Sequence, residues 1–429
     1  MIHYQANNKT RRDGKDNLFL VRSIPALRFR GRYVVFSPFK KQIAVLSKEE
    51  FNSKDLIKNL EKLSFFGTPQ TSEFDSNVVQ LSFNLTNTCN LMCRYCYGAY
   101  GEPSKKNYIS PETILGVLKR AIKQDTKEVR VVFVGGEPTL NMAAIRAAVE
   151  YLTEISMPSK YYISTNGVVP EEDLGYMIRN KFRFNVSHDG LPEFQEYQRP
   201  MRNGKPSTRL VERTIKKLIS ADVKFKVRTT ITKYNVRKLD KIVGYLSDLG
   251  VKYIHLDQVM YCGRAVKEKM QKPSPKVFVD NLFKAIDMAG RKGSNIISSY
   301  YSNLFMPSTY YCSHIAGEPV IILGSTGTIS CCYEHTEDKE GPFYLGELKN
   351  NKINIDARKK NKIIKNYDVD KIGKCKVCPI KYICGGGCPQ DNYLKTGDLF
   401  IPNDENCWVH KEIIRRLMIK MCLEKQATT

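Results

Sequence analysis

Three cysteines, Cys89, Cys93 and Cys96, form the pattern CxxxCxxC in the segment NLTNTCNLMCRYCYG. Thiolates are soft ligands that suit iron–sulfur clusters or zinc. Three of them can hold three corners of a four-iron cubane and leave the fourth iron open. A tetrahedral structural zinc needs a fourth ligand nearby, but the next His or Cys after Cys96 is His188. The triplet therefore predicts a metal site of the cluster type, unless the grouping is accidental.

A second group of cysteines lies near the carboxyl terminus. The segment CKVCPIKYICGGGC has the spacing Cx2Cx5Cx3C, with two further cysteines upstream and one downstream. The seven residues are Cys312, Cys332, Cys375, Cys378, Cys384, Cys388 and Cys407. A region with many cysteines and little apolar periodicity needs another source of order, and metal binding supplies one. Two zinc sites or two iron–sulfur clusters would both use these ligands.

The elements that must position these residues alternate between strand and helix from about residue 79 to 290. Apolar runs predict strands at 79–86, 129–134, 161–164, 182–187, 224–231 and 252–257. Helical patterns lie at 111–123, 141–155, 171–179, 207–220, 236–248 and 275–291. Six such units in succession predict a parallel sheet covered by helices. Because six is two short of a closed barrel, we predict an α/β fold with a partial (β/α)6 barrel, and functional residues at the carboxyl ends of its strands.

Small and polar residues stand at those strand ends. Gly135, Gly136 and Glu137 follow the second predicted strand, and glycines there allow the backbone to approach a ligand closely. Ser164 and Asn166 end the third strand. The later strands supply further candidates, which are Ser187, Arg199, Arg228 and Leu256. Each position is weak evidence alone, but their order at successive strand ends is a strong joint signal for a bound ligand.

The CxxxCxxC motif and these strand ends resemble the radical S-adenosylmethionine (SAM) enzymes. The resemblance implies that Cys89, Cys93 and Cys96 hold a [4Fe-4S] cluster that binds SAM. It implies that the strand-end residues contact the cofactor, with Tyr95 and Leu256 against the adenine. The other implied contacts are Gly135, Gly136, Glu137, Ser164, Asn166, Ser187, Arg199 and Arg228. An arginine suits the SAM carboxylate because its planar guanidinium binds a carboxylate through two hydrogen bonds.

The seven later cysteines resemble the SPASM extension of radical SAM enzymes that modify peptides and proteins. The resemblance implies two auxiliary [4Fe-4S] clusters, and so three clusters in all. One would be held by Cys375, Cys378, Cys384 and Cys407, and the other by Cys312, Cys332 and Cys388. A fourth ligand for the second auxiliary cluster is missing at 306–311, so either another group such as Cys331 completes it or one iron is open.

The resemblance divides the chain into three predicted regions and offers two substrate classes. Residues 1–75 would form a small hairpin and helix that caps the barrel or binds a leader peptide, 76–295 the barrel and 296–429 the SPASM domain. We expect an oxidoreductase, a maturase of ribosomally made precursor peptides that forms a carbon–carbon or thioether crosslink. The alternative is an anaerobic sulfatase-maturating enzyme, which oxidises Cys or Ser to formylglycine. Relatives of that kind usually carry Asp after the cysteine matched by Cys332, where this chain has Tyr333.

No catalytic base is identified by the motifs, and three nearby residues are candidates. They are Glu334, His335 and Asp338. The cofactors implied are SAM and the three clusters. The implied partners are a peptide or protein substrate with an acidic leader and an electron donor such as flavodoxin or ferredoxin.

Composition narrows the remaining classes. The chain has 429 residues and a formal charge of +24, which attracts anionic partners. The first residues contain no apolar signal segment and no run is long enough to span a bilayer, so we expect a cytoplasmic protein with no membrane partner. A nucleic-acid-modifying enzyme would use the basic segment 349–381, but that segment lacks interleaved aromatic residues, which disfavours nucleic acid. A non-enzymatic electron-transfer or zinc protein would not need the strand-end residues.

Overall fold

The computed structural model describes residues 18–71, 73–102, 106–318, 320–349 and 352–427. The first seventeen residues, on which the signal-segment expectation rests, lie outside them. By contacts the chain divides into two compact units. The first comprises residues up to 68 together with 377–380 and 411–429, and the second comprises 69–376 and 381–410.

The first unit contains a four-stranded antiparallel sheet in the order β1-β2-β3-β4. Its elements are β1 (Leu18–Val21), β2 (Ile24–Phe29), β3 (Arg32–Ser37), β4 (Gln42–Leu46), α1 (Lys48–Asn52) and α2 (Leu56–Lys62). The predicted hairpin corresponds to β3 and β4, whereas β1 and β2 were not predicted. The predicted helix is two helices because Ser53 is extended, with φ −61° and ψ 140°. Ile24, Val35 and Leu60 pack in the core of this unit.

The second unit contains one mixed sheet of eleven strands. They are β5 (Val78–Asn84), β6 (Glu128–Val134), β7 (Ser159–Thr165), β8 (Arg183–Ser187), β9 (Phe225–Ile231), β10 (Tyr253–Gln258), β11 (Asn295–Ile297), β12 (Val320–Leu323), β13 (Thr328–Ser330), β14 (Tyr344–Lys349) and β15 (Lys352–Ile355). Their order is β11-β10-β9-β8-β7-β6-β5-β12-β13-β14-β15. The strands from β5 to β11 pair in parallel. The six predicted strands are β5 to β10, and the open order confirms an α/β sheet that does not close into a ring.

Helices follow the parallel strands. They are α3 (Pro111–Ala121), α4 (Met142–Glu154), α5 (Glu171–Arg179), α6 (Pro192–Gln198), α7 (Thr208–Ser220), α8 (Leu239–Asp248), α9 (Arg264–Lys267) and α10 (Pro275–Lys292). Six of the eight were predicted, and the two short ones at 192–198 and 264–267 were not. The amino terminus of α3 is capped, since Ser110 accepts a hydrogen bond from the Thr113 amide at 3.2 Å. Alternation along the strands separates two faces. On β6, Val129, Val131 and Phe133 are fully buried, and the residues between them face the opposite side.

The carboxyl-terminal region is more regular than we expected from its sequence. It contains α11 (Ser313–Ala316), α12 (Ala357–Asn366), α13 (Lys381–Cys384), α14 (Pro389–Thr396) and α15 (Asp404–Ala427). The 24-residue helix α15 was not predicted, although Val409, Ile413 and Cys422 form part of a buried stripe at helical spacing. In the described part of the chain, no helix is both long and apolar enough to cross a membrane.

Candidate functional site

The first cysteine triplet lies in the loop after β5. Cys89, Cys93 and Cys96 all line a cavity of about 560 Å³ in the second unit. The loop is held by Arg264, whose guanidinium donates to the carbonyl of Cys93 at 2.8 Å and to that of Tyr100 at 2.7 Å. The three sulfur atoms therefore face one cavity from a loop that is fixed by backbone contacts.

Burial of this loop disfavours the thiolate form of its cysteines unless a positive charge lies beside the sulfur atoms. Burial raises the pKa of all three thiols, and that of Cys93 reaches about 11 even though Arg199 opposes the shift. Bound metal is the charge that converts such thiols to thiolates. Across the described ranges, no three His, Cys, Asp or Glu converge on one point as ligands of a single ion would. The donor set fits a cluster, whose irons spread the sulfur ligands apart, and the cluster stays a prediction.

The glycines after β6 line the same cavity and also press against the cysteine loop. A Cβ on Gly135 would lie 2.5 Å from the carbonyl oxygen of Thr86, and one on Gly136 would lie 2.2 Å from that of Thr88. Gly135 has a φ of +136°, which favours glycine. These glycines are needed so that the end of β6 can pack against the segment that leads into Cys89.

Glu137 does not line the cavity, although the two glycines before it do, and its contact with the cofactor stays a prediction. Its carboxylate is fully buried and accepts hydrogen bonds from Thr139, from the Thr165 hydroxyl at 2.8 Å and from the Asn166 amide at 2.7 Å. Asn166 in turn donates to Asn90 at 2.6 Å. Glu137 therefore ties the end of β7 to the cysteine loop from behind.

The inner face of the parallel sheet supplies the other predicted contacts. Ser164, Ser187 and Arg228 line the cavity. Leu256 does not, because strand alternation places it in the core with no exposed surface while its neighbours His255 and Asp257 face the cavity. This placement does not support packing of Leu256 against adenine, and that contact stays a prediction.

Tyr95 and Arg199 belong to a buried network at the cavity wall. The Tyr95 hydroxyl donates to Asp189 at 2.8 Å and accepts a hydrogen bond from the Arg199 guanidinium. Gln198 donates to the same Asp189 oxygen at 2.8 Å. Burial raises the pKa of Asp189, although Arg199 and these hydrogen bonds oppose the shift. The network fixes the Tyr95 ring and leaves Arg199 Nε buried with no hydrogen-bond partner among the described residues.

Three of the later cysteines face the same cavity as the first triplet. Cys312, Cys332 and Cys388 line it, and burial raises the pKa of both Cys332 and Cys388. Cys312 differs, because His314 lies 3.9 Å from its sulfur and outweighs the effect of burial, so that its pKa is lowered. These three are the residues predicted to share one auxiliary cluster.

The remaining cysteines lie outside this cavity. Cys331, the suspected additional ligand, directs its thiol to the carbonyl oxygen of Phe343 at 3.4 Å. The other predicted set is Cys375, Cys378, Cys384 and Cys407, of which the first and third are buried. Their shared cluster stays a prediction.

Of the three candidate bases, only Glu334 lines the cavity. Burial raises its pKa to about 7, and one carboxylate oxygen has no hydrogen-bond partner in the described part of the chain. His335 stacks on Phe343 instead and bonds to Gln390. Asp338 accepts from the amides of its own turn. The side chains of His335 and Asp338 are thus engaged away from the cavity, and the identity of the base stays a prediction.

Sequence reasoning missed a polar group on β9 and β10. Lys226, His255 and Asp257 line the cavity. Burial would raise the pKa of Asp257, but His255 and Arg228 outweigh burial and hold it below its usual range. The signal was present, because polar residues alternate with apolar ones in KFKVRTTI and YIHLDQ. Such alternation marks a strand with one apolar and one polar face.

Comparisons with known proteins agree with this geometry. Residues 83–246 match the family model of the radical SAM superfamily. The chain is 23% identical over 320 residues to a serine-type anaerobic sulfatase-maturating enzyme of Klebsiella aerogenes, covering 70% of this chain and 77% of that one.

Two solved structures share the fold. The structure of anSMEcpe with bound AdoMet and Cp18Cys peptide has a TM-score of 0.66 at 20% identity and covers 82% of this chain and 99% of that one. The structure of SuiB from Streptococcus suis bound to precursor peptide SuiA has a TM-score of 0.57 at 14% identity and covers 91% and 99%. The matched segment carries the cysteine triplet and the glycine pair, so residues 83–246 form a domain of the radical SAM superfamily.

Proposed function

We propose that this protein is a peptide or protein maturase that removes hydrogen from one residue of its substrate and leaves an intramolecular crosslink, either carbon–carbon or thioether. The observation that carries the proposal is the shared cavity, which is lined by both Cys89, Cys93 and Cys96 and by Cys312 and Cys388. One substrate residue in this space would lie between the two cysteine groups. Their arrangement suits an oxidation that takes a hydrogen atom and then an electron from the same residue.

When bound, a cluster with SAM would supply a 5′-deoxyadenosyl radical at the first cysteine group, and an auxiliary cluster at the second would accept an electron. The chain's own residues would orient the reactants. Ser164, Ser187 and Arg199 line the wall beside the first group. The guanidinium of Arg199 is held in place by Tyr95, and it suits the carboxylate of the SAM amino acid moiety.

Enclosure of the cavity matters because a carbon radical must be kept from other reactants. The lining of the cavity includes Tyr97, Tyr100, Tyr311 and Tyr333. The Tyr97 and Tyr100 rings pack edge to face at 5.6 Å. Such a lining excludes water and still accepts a peptide side chain of moderate size.

A second function, formylglycine formation, is favoured by Glu334. That reaction requires loss of a proton from the Ser hydroxyl or Cys thiol. Tyr333 occupies the position where similar enzymes usually carry Asp, and its hydroxyl lies 2.7 Å from that of Ser82. The next residue, Glu334, offers a carboxylate oxygen with no hydrogen-bond partner among the described residues, in the same cavity. A carboxylate that is displaced by one position would accept the proton instead.

Anaerobic reconstitution with iron and sulfide tests the proposed function. With SAM and a strong reductant, the wild-type protein and Cys262→Ala should release 5′-deoxyadenosine, while Cys89→Ala should not. Cys262 is the matched control because it belongs to none of the three predicted sets of cluster ligands and does not line the cavity. Release by Cys89→Ala at the wild-type rate would overturn the proposal.

Product analysis separates the two chemistries. Short peptides encoded beside the gene would be tested first, and a neighbouring sulfatase would be tested in the same way. A crosslink removes two hydrogen atoms and gives no reaction with a hydrazide probe, whereas formylglycine forms a hydrazone. Glu334→Gln should abolish hydrazone formation and keep 5′-deoxyadenosine release. A hydrazone yield equal to that of the wild type would exclude Glu334 as the base.

A further inference from the structure

Two rows of polar side chains cross the inner face of the sheet from β7 to β10. Strand pairing sets them side by side, because paired residues on neighbouring strands lie about 5 Å apart. One row is Ser164, Asn185 and Lys226, and the next is Ser187, Arg228 and His255. All six line the cavity. Three of them, Ser164, Ser187 and Arg228, were predicted to contact the cofactor, and the other three, Asn185, Lys226 and His255, have no assigned role.

Lys226 is a half-buried cation with no carboxylate within ion-pair distance among the described residues, although the charge of Asp257 acts on it from farther away and raises its pKa against the effect of burial. Its ammonium makes no hydrogen bond or ion pair with any residue that the structure describes. Its neighbour Asn185 bonds to Ser164 at 3.3 Å instead. Burial lowers the pKa of Lys226, and the like charge of Arg228 adds to that effect. A cation in this position is costly to the fold unless an anionic ligand completes it.

His255 lies beside the carboxylate of Asp257. Its Nε2 lies 2.8 Å from Oδ2 of Asp257, whose other oxygen accepts from the amide and hydroxyl of Ser299 at 2.9 and 2.7 Å. This contact places the ring beside the carboxylate without hydrogen-bond geometry, and both ring nitrogens, Nδ1 included, are buried with no hydrogen-bond partner within the described residues. In the neutral ring with its proton on Nε2, Nδ1 can only accept a hydrogen bond.

The ammonium of Lys226 can bind an anion, and Nδ1 of His255, on the adjacent strand, can accept a hydrogen bond. Together these two groups match an acidic amino acid residue. Such a residue offers a side-chain carboxylate and, a few ångströms away, a backbone N–H. Arg228 is excluded from this pair because it lies 4.0 Å from Asp257 and is predicted to contact the cofactor. The remaining free groups of this wall are therefore those of Lys226 and His255.

We infer that this wall is a specificity subsite for an Asp or Glu residue of the substrate peptide, with the carboxylate bound by Lys226 and the backbone N–H donated to Nδ1 of His255. The inference rests on the proposed function for its peptide substrate. It adds that the residue next to the reacting one is acidic. Two other anions could in principle reach Lys226, the carboxylate of SAM and the phosphates of a nucleotide, and the experiment separates them from the peptide.

The test uses two small probes with the anaerobically reconstituted protein, N-acetyl-aspartate N-methylamide and its asparagine isostere. Saturation-transfer NMR and calorimetry would measure both dissociation constants. We expect the aspartate probe to bind the wild type about tenfold more tightly, a difference of about 1.4 kcal/mol. Lys226→Met should remove this preference, whereas Lys224→Met, which removes an equal charge from an exposed position, should keep it. His255→Phe should weaken both probes equally, since each has the same backbone N–H.

Three results would overturn the subsite. They are equal binding of both probes to the wild type, an unchanged preference in Lys226→Met, and a Lys226→Met variant whose main defect is weaker binding of SAM. Tighter binding of GTP than of the aspartate probe, lost in Lys226→Met, would also overturn it in favour of a phosphate ligand. The wild-type comparison needs no variant, so a folding defect does not remove the test. Release of 5′-deoxyadenosine is measured in parallel. If 5′-deoxyadenosine is released but the two probes bind equally, the subsite alone is refuted. If 5′-deoxyadenosine is not released but the aspartate probe is clearly preferred, the proposed function alone is refuted.

Discussion

The carboxylate of Glu137 should stabilise the fold and the cysteine loop together, and its replacement by glutamine tests this. The glutamate side chain accepts two backbone N–H bonds, from Thr139 at 3.2 Å and Asn166 at 2.7 Å, and two hydroxyl bonds. In Glu137→Gln the new amide nitrogen must face donors at one of these positions. If one backbone N–H loses its partner, the cost is about 1–3 kcal/mol, and weakening of the other charge-assisted bonds adds about 1 kcal/mol. We therefore expect a loss of about 2–4 kcal/mol in the free energy of unfolding.

Urea denaturation followed by circular dichroism would measure this loss. The matched control is Glu154→Gln, an exposed glutamate at the end of α4, for which a change within about 0.5 kcal/mol is expected. Because Asn166 also donates to Asn90 beside Cys89, Glu137→Gln should release iron to a chelator faster than the control variant does. Equal unfolding midpoints for the two variants would refute this account of Glu137.

Three further predictions concern the loop and the buried histidine. Gly136→Ala should destabilise the fold by about 2 kcal/mol or more, because its Cβ would lie 2.2 Å from the Thr88 carbonyl. The control Gly290→Ala has open space around its position in a helix and should stabilise the fold by about 0.5–1 kcal/mol. Equal denaturation midpoints for the two variants would contradict the packing argument. Arg264→Lys should lose one of the two carbonyl contacts and speed iron loss to a chelator relative to the exposed Lys267→Met, and matching rates would show that the guanidinium does not hold the loop. Burial lowers the pKa of His410 from 6.5 to about 4, so the unfolded chain takes up a proton first and stability falls between pH 6.5 and 4. By pH 5 the loss in the free energy of unfolding is about 2 kcal/mol. A plot of the free energy of unfolding against pH should therefore fall by about 2 kcal/mol less for His410→Gln than for the wild type between pH 6.5 and 5. Parallel plots for the two proteins would exclude the effect.

The parallel sheet could be predicted because each unit repeats two independent signals. A short apolar run gives the strand, and a longer segment at helical spacing gives the helix. α5 begins and ends as predicted, and α3 begins at its Ser110 cap. β1, β2 and α15 were missed for different reasons. In LFLVRSIPALRF the tight turn at 22–23 has no Asn or Gly signal. In α15 the apolar stripe is interrupted by charged residues that lower its contrast.

The sequence predicts which residues lie near the cavity more completely than it predicts which way their side chains face. Eight of the ten expected cofactor contacts line the cavity, and the two exceptions, Glu137 and Leu256, have physical reasons. Glu137 follows a glycine pair whose packing turns its side chain away from the cavity and toward Thr165. Leu256 lies on the apolar face of β10, where the polar neighbours His255 and Asp257 fix the parity of the strand. Motif spacing gives the order of residues along the chain, but strand parity decides which of them face inward.

Four of the eight buried side-chain atoms that have no hydrogen-bond partner among the described residues belong to this cavity, and the other four belong to Asn84, Thr88, His188 and Ser247. The group at the cavity argues for ligands there. Arg199, His255 and Glu334 each bury a side-chain atom with no hydrogen-bond partner among the described residues, and all three line the cavity. Each such atom costs about 1–3 kcal/mol. The core beneath the sheet shows the opposite pattern, with fully buried apolar side chains such as Phe133 and Ile163. A sheet that is well packed on one face and incompletely paired on the other is completed by what binds to it, so SAM, the clusters and an acidic peptide should each raise the stability of the second unit when they bind.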